Sequence, residues 1–159
     1  MPILYILCGL PFSGKSLLAK EIEKTTSTKR ISFDDIYDTL VKSNKDVTYE
    51  AGLNEVEKNI AKNLKDSYSV VYDSSNLKKE RREALKKLAE QVGATPKVVY
   101  LQVSAEEIHK RFTQSLVDKS HHYLNEEFVN KSIKRLEAPT DCISISTEEG
   151  KKNFLESLK

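Results

Sequence analysis

The hydrophobic pattern of the chain alternates between short apolar runs and longer segments with helical spacing. Five runs are short and continuous enough to predict β-strands; they cover residues 2–8, 30–33, 69–72, 97–103 and 143–145. Between the second and third runs, segment 50–66 places its apolar side chains on one stripe, which predicts an amphipathic helix. Further helices are predicted at 16–24, at 78–92 with Gly93 as a stop, from Ser104 through a capping box with Glu107, at 125–136 and at 148–158.

Strands that alternate with helices predict βαβ crossovers, which build a parallel sheet covered by helices on both faces. The sequence therefore predicts an α/β fold of three layers around five parallel strands. It contains no repeat, no low-complexity tract and no Pro/Gly-rich linker, so residues 1–159 are expected to form one domain. A polar stretch at 113–123 is expected to separate the helix after the fourth strand from the next helix.

Composition mainly excludes classes of protein. The 26 basic and 24 acidic residues leave a formal net charge of +2, too small to indicate a nucleic-acid or membrane partner by itself. No apolar run approaches the roughly 20 residues that span a bilayer. Cys8 and Cys142 lie far apart in apolar runs, which is typical of buried reduced thiols. A cytoplasmic protein that does not enter the membrane is expected, and no motif indicates an oligomeric state.

One motif carries specific chemistry. The phosphate-loop pattern G-x-x-x-x-G-K-[ST] is matched at every fixed position by Gly9, Leu10, Pro11, Phe12, Ser13, Gly14, Lys15 and Ser16. The loop follows the first predicted strand directly and leads into the helix predicted at 16–24, so backbone N–H groups and the helix dipole face the phosphates. Leu17 in the first turn of this helix is expected to be a nucleotide-binding residue together with the loop. Lys15 adds a cation for the β- and γ-phosphates, and the Ser16 hydroxyl is a ligand for Mg²⁺. The segment predicts binding of ATP with Mg²⁺.

Carboxylates follow the next two strands, at the edge of the sheet where parallel α/β proteins gather their chemistry. Asp34 and Asp35 come after the second strand, and Asp73 comes after the third. A kinase needs one carboxylate to accept the proton of the attacking hydroxyl and another to organise Mg²⁺. Asp35 and Asp38 have an alternative interpretation as helix-capping residues.

The helix after Asp73 carries a cluster of basic residues. Its spacing aligns Arg81 with Leu85, Leu88 and Val92, which puts Arg81 on the apolar side near the phosphate loop. Two interpretations remain open for Arg81: an active-site residue or one half of a structural ion pair. For the other basic residues of this helix a solvated face is expected; they are Lys78, Lys79, Arg82, Lys86 and Lys87.

Together these features resemble the small P-loop kinases around the kinase domain of phage polynucleotide kinase and archaeal phosphoseryl-tRNA kinase. The wider group includes zeta-toxin-like kinases and predicted kinases of an AAA-type ATP-binding family. The resemblance covers nearly the whole chain, and four motifs carry it in order: GLPFSGKS, SFDD, DSSNLKKERR and RLEAPTDCISIS. It implies a P-loop NTPase fold of the nucleoside-kinase type with a helical lid at about 111–125.

The resemblance also implies roles for single residues. Asp34 matches the general base that activates the acceptor hydroxyl, and it stands at the metal site together with Ser16 and Asp73. Asp73 and Asn76 match a D-x-T-N-like segment on the substrate and metal side. Arg81 or Arg82 matches the arginines that trail this segment, and Arg111 is similar to the first lid arginine, which leans on the transferring phosphate.

The chain departs from phage-type polynucleotide kinases at two positions. Tyr37 stands where those kinases have an arginine three residues after the catalytic aspartate, which weakens the case for a nucleic-acid 5′ end as acceptor. Ser115 stands where a second lid arginine is common. The missing charge is then expected from another side chain, with four candidates: Lys119, His121, His122 and Arg135.

Three functions are compatible with these residues. The first is an ATP-dependent kinase acting on a hydroxyl of an RNA-like or small-molecule acceptor. The second is a nucleotide-gated tRNA- or RNA-binding ATPase resembling the Elongator-associated factor, with the basic run 78–87 as a phosphate-backbone surface. The third, a GTP switch, is disfavoured because the sequence has no N-K-x-D-like segment that reads guanine.

Overall fold

The computed structural model describes residues 1–119 and 124–159. Its sheet is wholly parallel, with strand order β2-β3-β1-β4-β5. The strands are β1 (Ile3–Cys8), β2 (Lys29–Ser32), β3 (Val70–Asp73), β4 (Thr95–Leu101) and β5 (Ile143–Ile145). All five predicted strands are present, so the expected α/β architecture is confirmed.

Seven helices lie in the described part of the chain. They are α1 (Lys15–Thr25), α2 (Phe33–Ser43), α3 (Tyr49–Lys65), α4 (Lys79–Gln91), α5 (Ala105–Asp118), α6 (Glu126–Arg135) and α7 (Glu148–Ser157). None of the described helices is long and apolar enough to cross a membrane.

The sheet is covered on both faces because consecutive side chains of a strand point to opposite sides. In β1, Leu4 and Ile6 pack into the core beneath α3 and α4, whereas Tyr5 and Leu7 pack into the core beneath α1 and α7. All four side chains are buried. An uninterrupted apolar run is what a central strand needs when both of its faces are covered, and this confirms the three layers.

Helices α5 and α6 pack on each other beside the sheet through a smaller core. Ile108 and Phe112 from α5 meet Val129 from α6, and Leu10 of the phosphate loop joins them. The expected polar break at 113–123 is wrong for its first half, because α5 continues to Asp118. Phe112 and Ser115 are buried in this part of α5, and Phe112 packs in the same core as Val129 of α6. The polar residues between and after them therefore belong to an exposed helix face and not to a loop.

Three local predictions can be compared with the observed helix ends. Phe33 begins α2 instead of ending β2, because the Ser32 hydroxyl caps the helix by accepting from the backbone N–H of Asp35. Asp35 therefore lies in the first turn and is not the capping residue that one interpretation made it. The Ser104 cap of α5 is confirmed by its bond from the N–H of Glu107, and Gly93 follows α4 with the left-handed φ of 77° that favours glycine.

Candidate active site

The carboxyl ends of β1, β2 and β3 open into one cleft of about 790 Å³. The phosphate loop, the first turns of α2 and the segment after β3 form its walls, and the start of α6 closes one side. Ligand sites of parallel sheets lie at this edge. Several residues singled out from the sequence line the cleft: Pro11, Phe12, Lys15, Ser16, Asp34, Asp35 and Asp73.

The phosphate loop is tightly wound between β1 and α1. A Cβ atom on Gly9 would lie 2.6 Å from the Ser13 hydroxyl oxygen, so no larger residue fits without a shift of the loop. Gly14 has a φ of 95°, a left-handed conformation that favours glycine. The N–H of Gly9 donates to the carbonyl of Ser75 at 3.1 Å, which ties the loop to the segment after β3. Leu17, in the first turn of α1, has an exposed side chain.

Lys15 is folded back onto its own loop. Its Nζ donates to the carbonyl oxygen of Leu10 at 2.8 Å and lies 3.5 Å from Ser13 Oγ. Burial disfavours the charged ammonium and lowers the pKa of Lys15 to about 8, although Asp73, Cys8 and Asp34 act in the opposite direction. A bound phosphate would give this ammonium an anionic partner within the loop.

Ser16 and Asp73 meet at the same end of the cleft. The Ser16 hydroxyl donates to Asp73 Oδ1 at 3.3 Å, and Asp73 is buried. Hydroxyl and carboxylate oxygens are the ligands that Mg²⁺ prefers, so this pair fits the expected metal. Within residues 1–119 and 124–159, no group of three or more His, Cys, Asp or Glu is arranged to hold a metal ion. Mg²⁺ usually binds through one or two carboxylates together with substrate phosphates, so Ser16 and Asp73 would hold an ion that is also bound to the nucleotide.

Arg30 is a cleft residue that the sequence did not reveal. Its Nε and Nη2 donate to Asp73 Oδ2 at 3.2 and 2.8 Å, and its Nη1 donates to Asp35 Oδ2 at 3.1 Å. In the four-residue strand β2, Ile31 points into the core, so its neighbours Arg30 and Ser32 alternate with it. This alternation is the signal in the sequence that could have placed Arg30 on a different face of the strand from Ile31. In a strand of four residues it is too short to be recognised.

Asp34 projects into the cleft from the first turn of α2. Partial burial in the cleft raises the pKa of its carboxyl group, and the charges of Asp73, Asp38 and Asp35 add to this effect. Lys15 opposes the shift. A carboxylate with a raised pKa is a better proton acceptor than an ordinary aspartate, which suits a general base.

Arg111 approaches the phosphate loop from outside the cleft. Its Nη1 donates to the Phe12 carbonyl at 2.8 Å, and its Nε donates to Glu107 Oε1 at 3.1 Å. It is not among the residues that line the cleft. Lys119 and Arg135 do not line it either. The candidates His121 and His122 lie outside the described residues.

In α4, the helix after Asp73, the buried face begins one residue later than predicted, at Arg82 instead of Arg81. Arg82 is 4% exposed, so its interpretation as a solvated residue is wrong. Arg82 donates to the backbone carbonyls of Asn76, Leu77 and Glu137 at 2.6–2.9 Å. Arg81 forms an ion pair with Glu57 at 2.7 Å, which is the structural one of its two interpretations.

Asn76 links the segment after β3 to β1, next to the cleft. Its side chain is buried, and its Nδ2 donates to the carbonyl oxygen of Leu7 at 2.7 Å. With a φ of 45°, it also turns the chain after β3. Asn76 and Arg81 are not among the residues that line the cleft, and their contact with a substrate stays a prediction.

The fold and the phosphate loop define a P-loop kinase-like protein. The family model described as AAA domain matches residues 4–139, and the chain belongs to this family. No curated protein matches the chain.

Several solved structures share the fold. A gluconokinase from Sinorhizobium meliloti 1021 is similar with a TM-score of 0.67 and 18% identity, over 99% of this chain and 95% of that one. The APS kinase CysC of Mycobacterium tuberculosis, in complex with AMPPNP and APS, gives 0.70 and 16%, over 99% and 95%. Kti12 of Chaetomium thermophilum, in complex with ADP-AlF3, gives 0.69 and 16%, over 98% and 96%. At these identities the likeness shows the fold alone. It confirms the P-loop kinase-like architecture that the sequence resemblance implied.

Proposed function

We propose that the protein is an ATP-dependent kinase that transfers the γ-phosphoryl group to a hydroxyl of a second substrate. The observation that carries this proposal is the position of Asp34 and Asp73 in the same cleft as Lys15 and Ser16. A protein that only binds a nucleotide needs the loop, whereas a kinase also needs an acceptor site with a base beside it.

In the proposed reaction an acceptor oxygen forms a bond to the γ-phosphorus while the bond from that phosphorus to the bridging oxygen breaks. ADP leaves with the bonding electron pair, and the proton of the hydroxyl passes to the carboxylate of Asp34. Lys15 exchanges the Leu10 carbonyl for phosphate oxygens. Ser16 and Asp73 would hold and orient Mg²⁺, which would supply charge neutralisation on the phosphates. In this proposal, Arg111 adds positive charge from the lid side of the loop.

The acceptor side of the cleft is acidic. Asp34, Asp35 and Asp38 line it together with Phe33, and Arg30 is the cation next to them. A phosphate backbone would meet net repulsion from these carboxylates, whereas a small polyol would find hydrogen-bond acceptors. We therefore favour a small-molecule alcohol over RNA as acceptor. Two of the solved structures that share the fold carry the names gluconokinase and APS kinase, which supports an acceptor that is a small molecule.

A second candidate is a nucleotide-gated RNA-binding ATPase. The observation in its favour is the surface of α4 and the residue before it, where Lys78, Lys79 and Lys87 are exposed. Such a surface would bind RNA with an affinity that falls steeply as salt rises. Phosphate release without transfer, together with salt-sensitive RNA binding, would favour this function over the first.

The deciding experiment incubates the protein with γ-labelled ATP and Mg²⁺ against sugars and polyols, nucleosides, 5′-OH oligonucleotides and tRNA. Transfer to a member of the first two classes is the expected result. Asp34→Asn should lower transfer by about a hundredfold or more while ADP affinity changes little, because the variant keeps the shape of the site but removes the base. Asp46→Asn, the same chemical change in an exposed loop, is the matched control. Undiminished transfer by Asp34→Asn would remove Asp34 from this role.

A further inference from the structure

Basic side chains reach the cleft from two directions. In the part of the chain that the structure describes, those that line it are Lys15, Lys20 and Arg30. The two lysines come from α1 on the nucleotide side, whereas Arg30 comes from β2 and is the one guanidinium among them. A guanidinium is the group best shaped to bind two oxygens of a phosphoryl group at once.

The guanidinium of Arg30 has an inner and an outer edge. The inner edge, Nε and Nη2, bonds to Asp73, whose side chain is only 5% exposed. The outer edge, Nη1, bonds to Asp35, whose side chain is 70% exposed. Breaking a buried pair is costly, but an exposed pair contributes little and is easily exchanged for another anion. Arg30 is therefore held in place by Asp73, whereas its contact with Asp35 can be exchanged for another anion.

The anchor places Arg30 between the two halves of the site. Asp73 accepts from Ser16 of the phosphate loop through Oδ1 and from Arg30 through Oδ2. On its other side, Arg30 reaches Asp35, the neighbour of Asp34 in the first turn of α2. A phosphoryl group transferred from the loop to a hydroxyl beside Asp34 would therefore move within the cleft that this guanidinium lines.

We infer that Arg30 is a catalytic residue that binds the transferring phosphoryl group from the acceptor side by exchanging Asp35 for phosphoryl oxygens. This inference rests on the proposed kinase function. It makes Arg30 of β2 the source of the positive charge that a second lid arginine would supply at the position of Ser115. Ser115 is buried and its hydroxyl donates back to the Phe112 carbonyl, so it brings no charge to the cleft. Arg30 keeps its contact with Asp73 throughout, and no bond of the protein is made or broken.

The test uses a fluorescent ADP analogue with Mg²⁺, in the presence and absence of fluoroaluminate. Fluoroaluminate occupies the place of the transferring phosphoryl group, so its effect on ADP affinity reports the groups that bind this phosphoryl group. The wild-type protein should bind the analogue more tightly with fluoroaluminate than without it. The ratio of the two affinities is the quantity to compare among variants.

Two variants separate a catalytic role from a structural one. Arg30→Lys keeps a cation beside Asp73 but loses the fork, and it should lower the ratio by about tenfold while ADP affinity alone stays within about twofold. Asp35→Asn changes an exposed residue and frees Nη1, so it should keep or increase the ratio. Lys29→Ala is the matched control, because this neighbouring cation lies over the Tyr68 ring. It should leave both affinities unchanged.

Each outcome has a distinct meaning. If Arg30→Lys gains as much ADP affinity from fluoroaluminate as the wild type does, the inference about Arg30 is overturned, whereas the kinase proposal is unaffected. If Asp35→Asn abolishes the gain in ADP affinity from fluoroaluminate, the inference is also overturned, because the contact between Arg30 and Asp35 would then be needed to hold Arg30 in place. A wild-type protein that gains nothing from fluoroaluminate and transfers no phosphate overturns the proposed function, and the role of Arg30 falls with it.

Discussion

The Ser16 hydroxyl lies 3.3 Å from Oδ1 of Asp73, and this contact joins the phosphate loop after β1 to the end of β3. The other oxygen of the same carboxylate accepts from Arg30 at 2.8 Å. Asp73 at the end of β3 therefore contacts both the phosphate loop, through Ser16, and β2, through Arg30. These contacts form although Ser16 and Asp73 are 57 positions apart in the chain. Its orientation is fixed before any ligand binds.

This geometry predicts that Asp73 links nucleotide binding to Mg²⁺. Asp73→Asn should lower the enhancement of ADP affinity by Mg²⁺ by about tenfold, because loss of a carboxylate that organises a metal typically costs this much. ADP affinity in EDTA should stay within about twofold of the wild type. Titration of a fluorescent ADP analogue with and without Mg²⁺ measures both quantities. Asp66→Asn, at the end of α3, is the control, and an undiminished Mg²⁺ effect in Asp73→Asn would exclude Asp73 from the metal site.

Lys15 predicts a proton uptake that accompanies nucleotide binding. Its pKa is lowered to about 8 in the free protein, chiefly by burial, so above this pH the group has lost its proton. A bound phosphate favours the ammonium, so the Lys15 amine should take up a proton from solution when ADP binds. ADP affinity should accordingly fall as pH rises through 8.

The uptake is measurable by calorimetry in EDTA at pH 8.5, in two buffers with different heats of ionisation. A group with a pKa of 8 lacks about three quarters of its proton at this pH, which sets the expected uptake per ADP. Lys20→Met removes another lysine of the cleft and should leave the uptake unchanged. Binding heats that are equal in the two buffers would contradict the assignment to Lys15.

The strands and the loop could be predicted because their signals are local. The β1 run is apolar on both faces, as a central strand requires. In the loop, Gly9 is required by its close contact with Ser13, and Gly14 is favoured by its positive φ. The bounds of β5 were predicted correctly, and helix caps such as Ser104 follow from residues three positions apart. These features need no knowledge of the rest of the chain.

Arginines were the part of the site that the sequence could not place. On α4 the buried stripe is Arg82, Leu85 and Ala89, whereas the predicted stripe began at Arg81. An arginine counts as polar in any pattern, and its burial becomes favourable only when carbonyl groups from distant segments surround it. Arg30 is similar, because its partner Asp73 lies 43 residues away. Their contacts are therefore properties of the assembled fold.

Arg82 should contribute strongly to stability. It donates to the carbonyls of Asn76, Leu77 and Glu137, which joins the segment after β3 to the end of α6. Arg82→Ala would remove a buried donor from all three carbonyls, of which the Leu77 carbonyl keeps its bond from the Glu137 N–H. The substitution should lower the free energy of unfolding by on the order of 3 kcal/mol. Urea denaturation measures the change. Lys87→Ala, an exposed residue of the same helix, should cost less than about 0.5 kcal/mol, and an equal loss in both variants would mean that the Arg82 contacts contribute nothing of their own.

Gly52 should resist substitution although it lies in helix α3. Alanine normally stabilises a helix by about 1 kcal/mol relative to glycine. Here a Cβ atom would lie 2.9 Å from the Tyr37 ring and 3.2 Å from the Phe33 ring. The two rings are stacked with their centroids 5.5 Å apart, and Phe33 also packs against Tyr49, so neither ring can withdraw alone.

Gly52→Ala should therefore lower the free energy of unfolding by about 1 kcal/mol, because overpacking outweighs the gain in helix propensity. Tyr37→Ser removes the ring that lies nearest, and in that background the same glycine substitution should become neutral or stabilising. Urea denaturation of the four proteins of this cycle gives the coupling between the two sites directly. A Gly52→Ala protein as stable as the wild type would show that the rings adjust freely. The wall that Phe33 forms beside Asp34 would then be less rigid than the contacts imply.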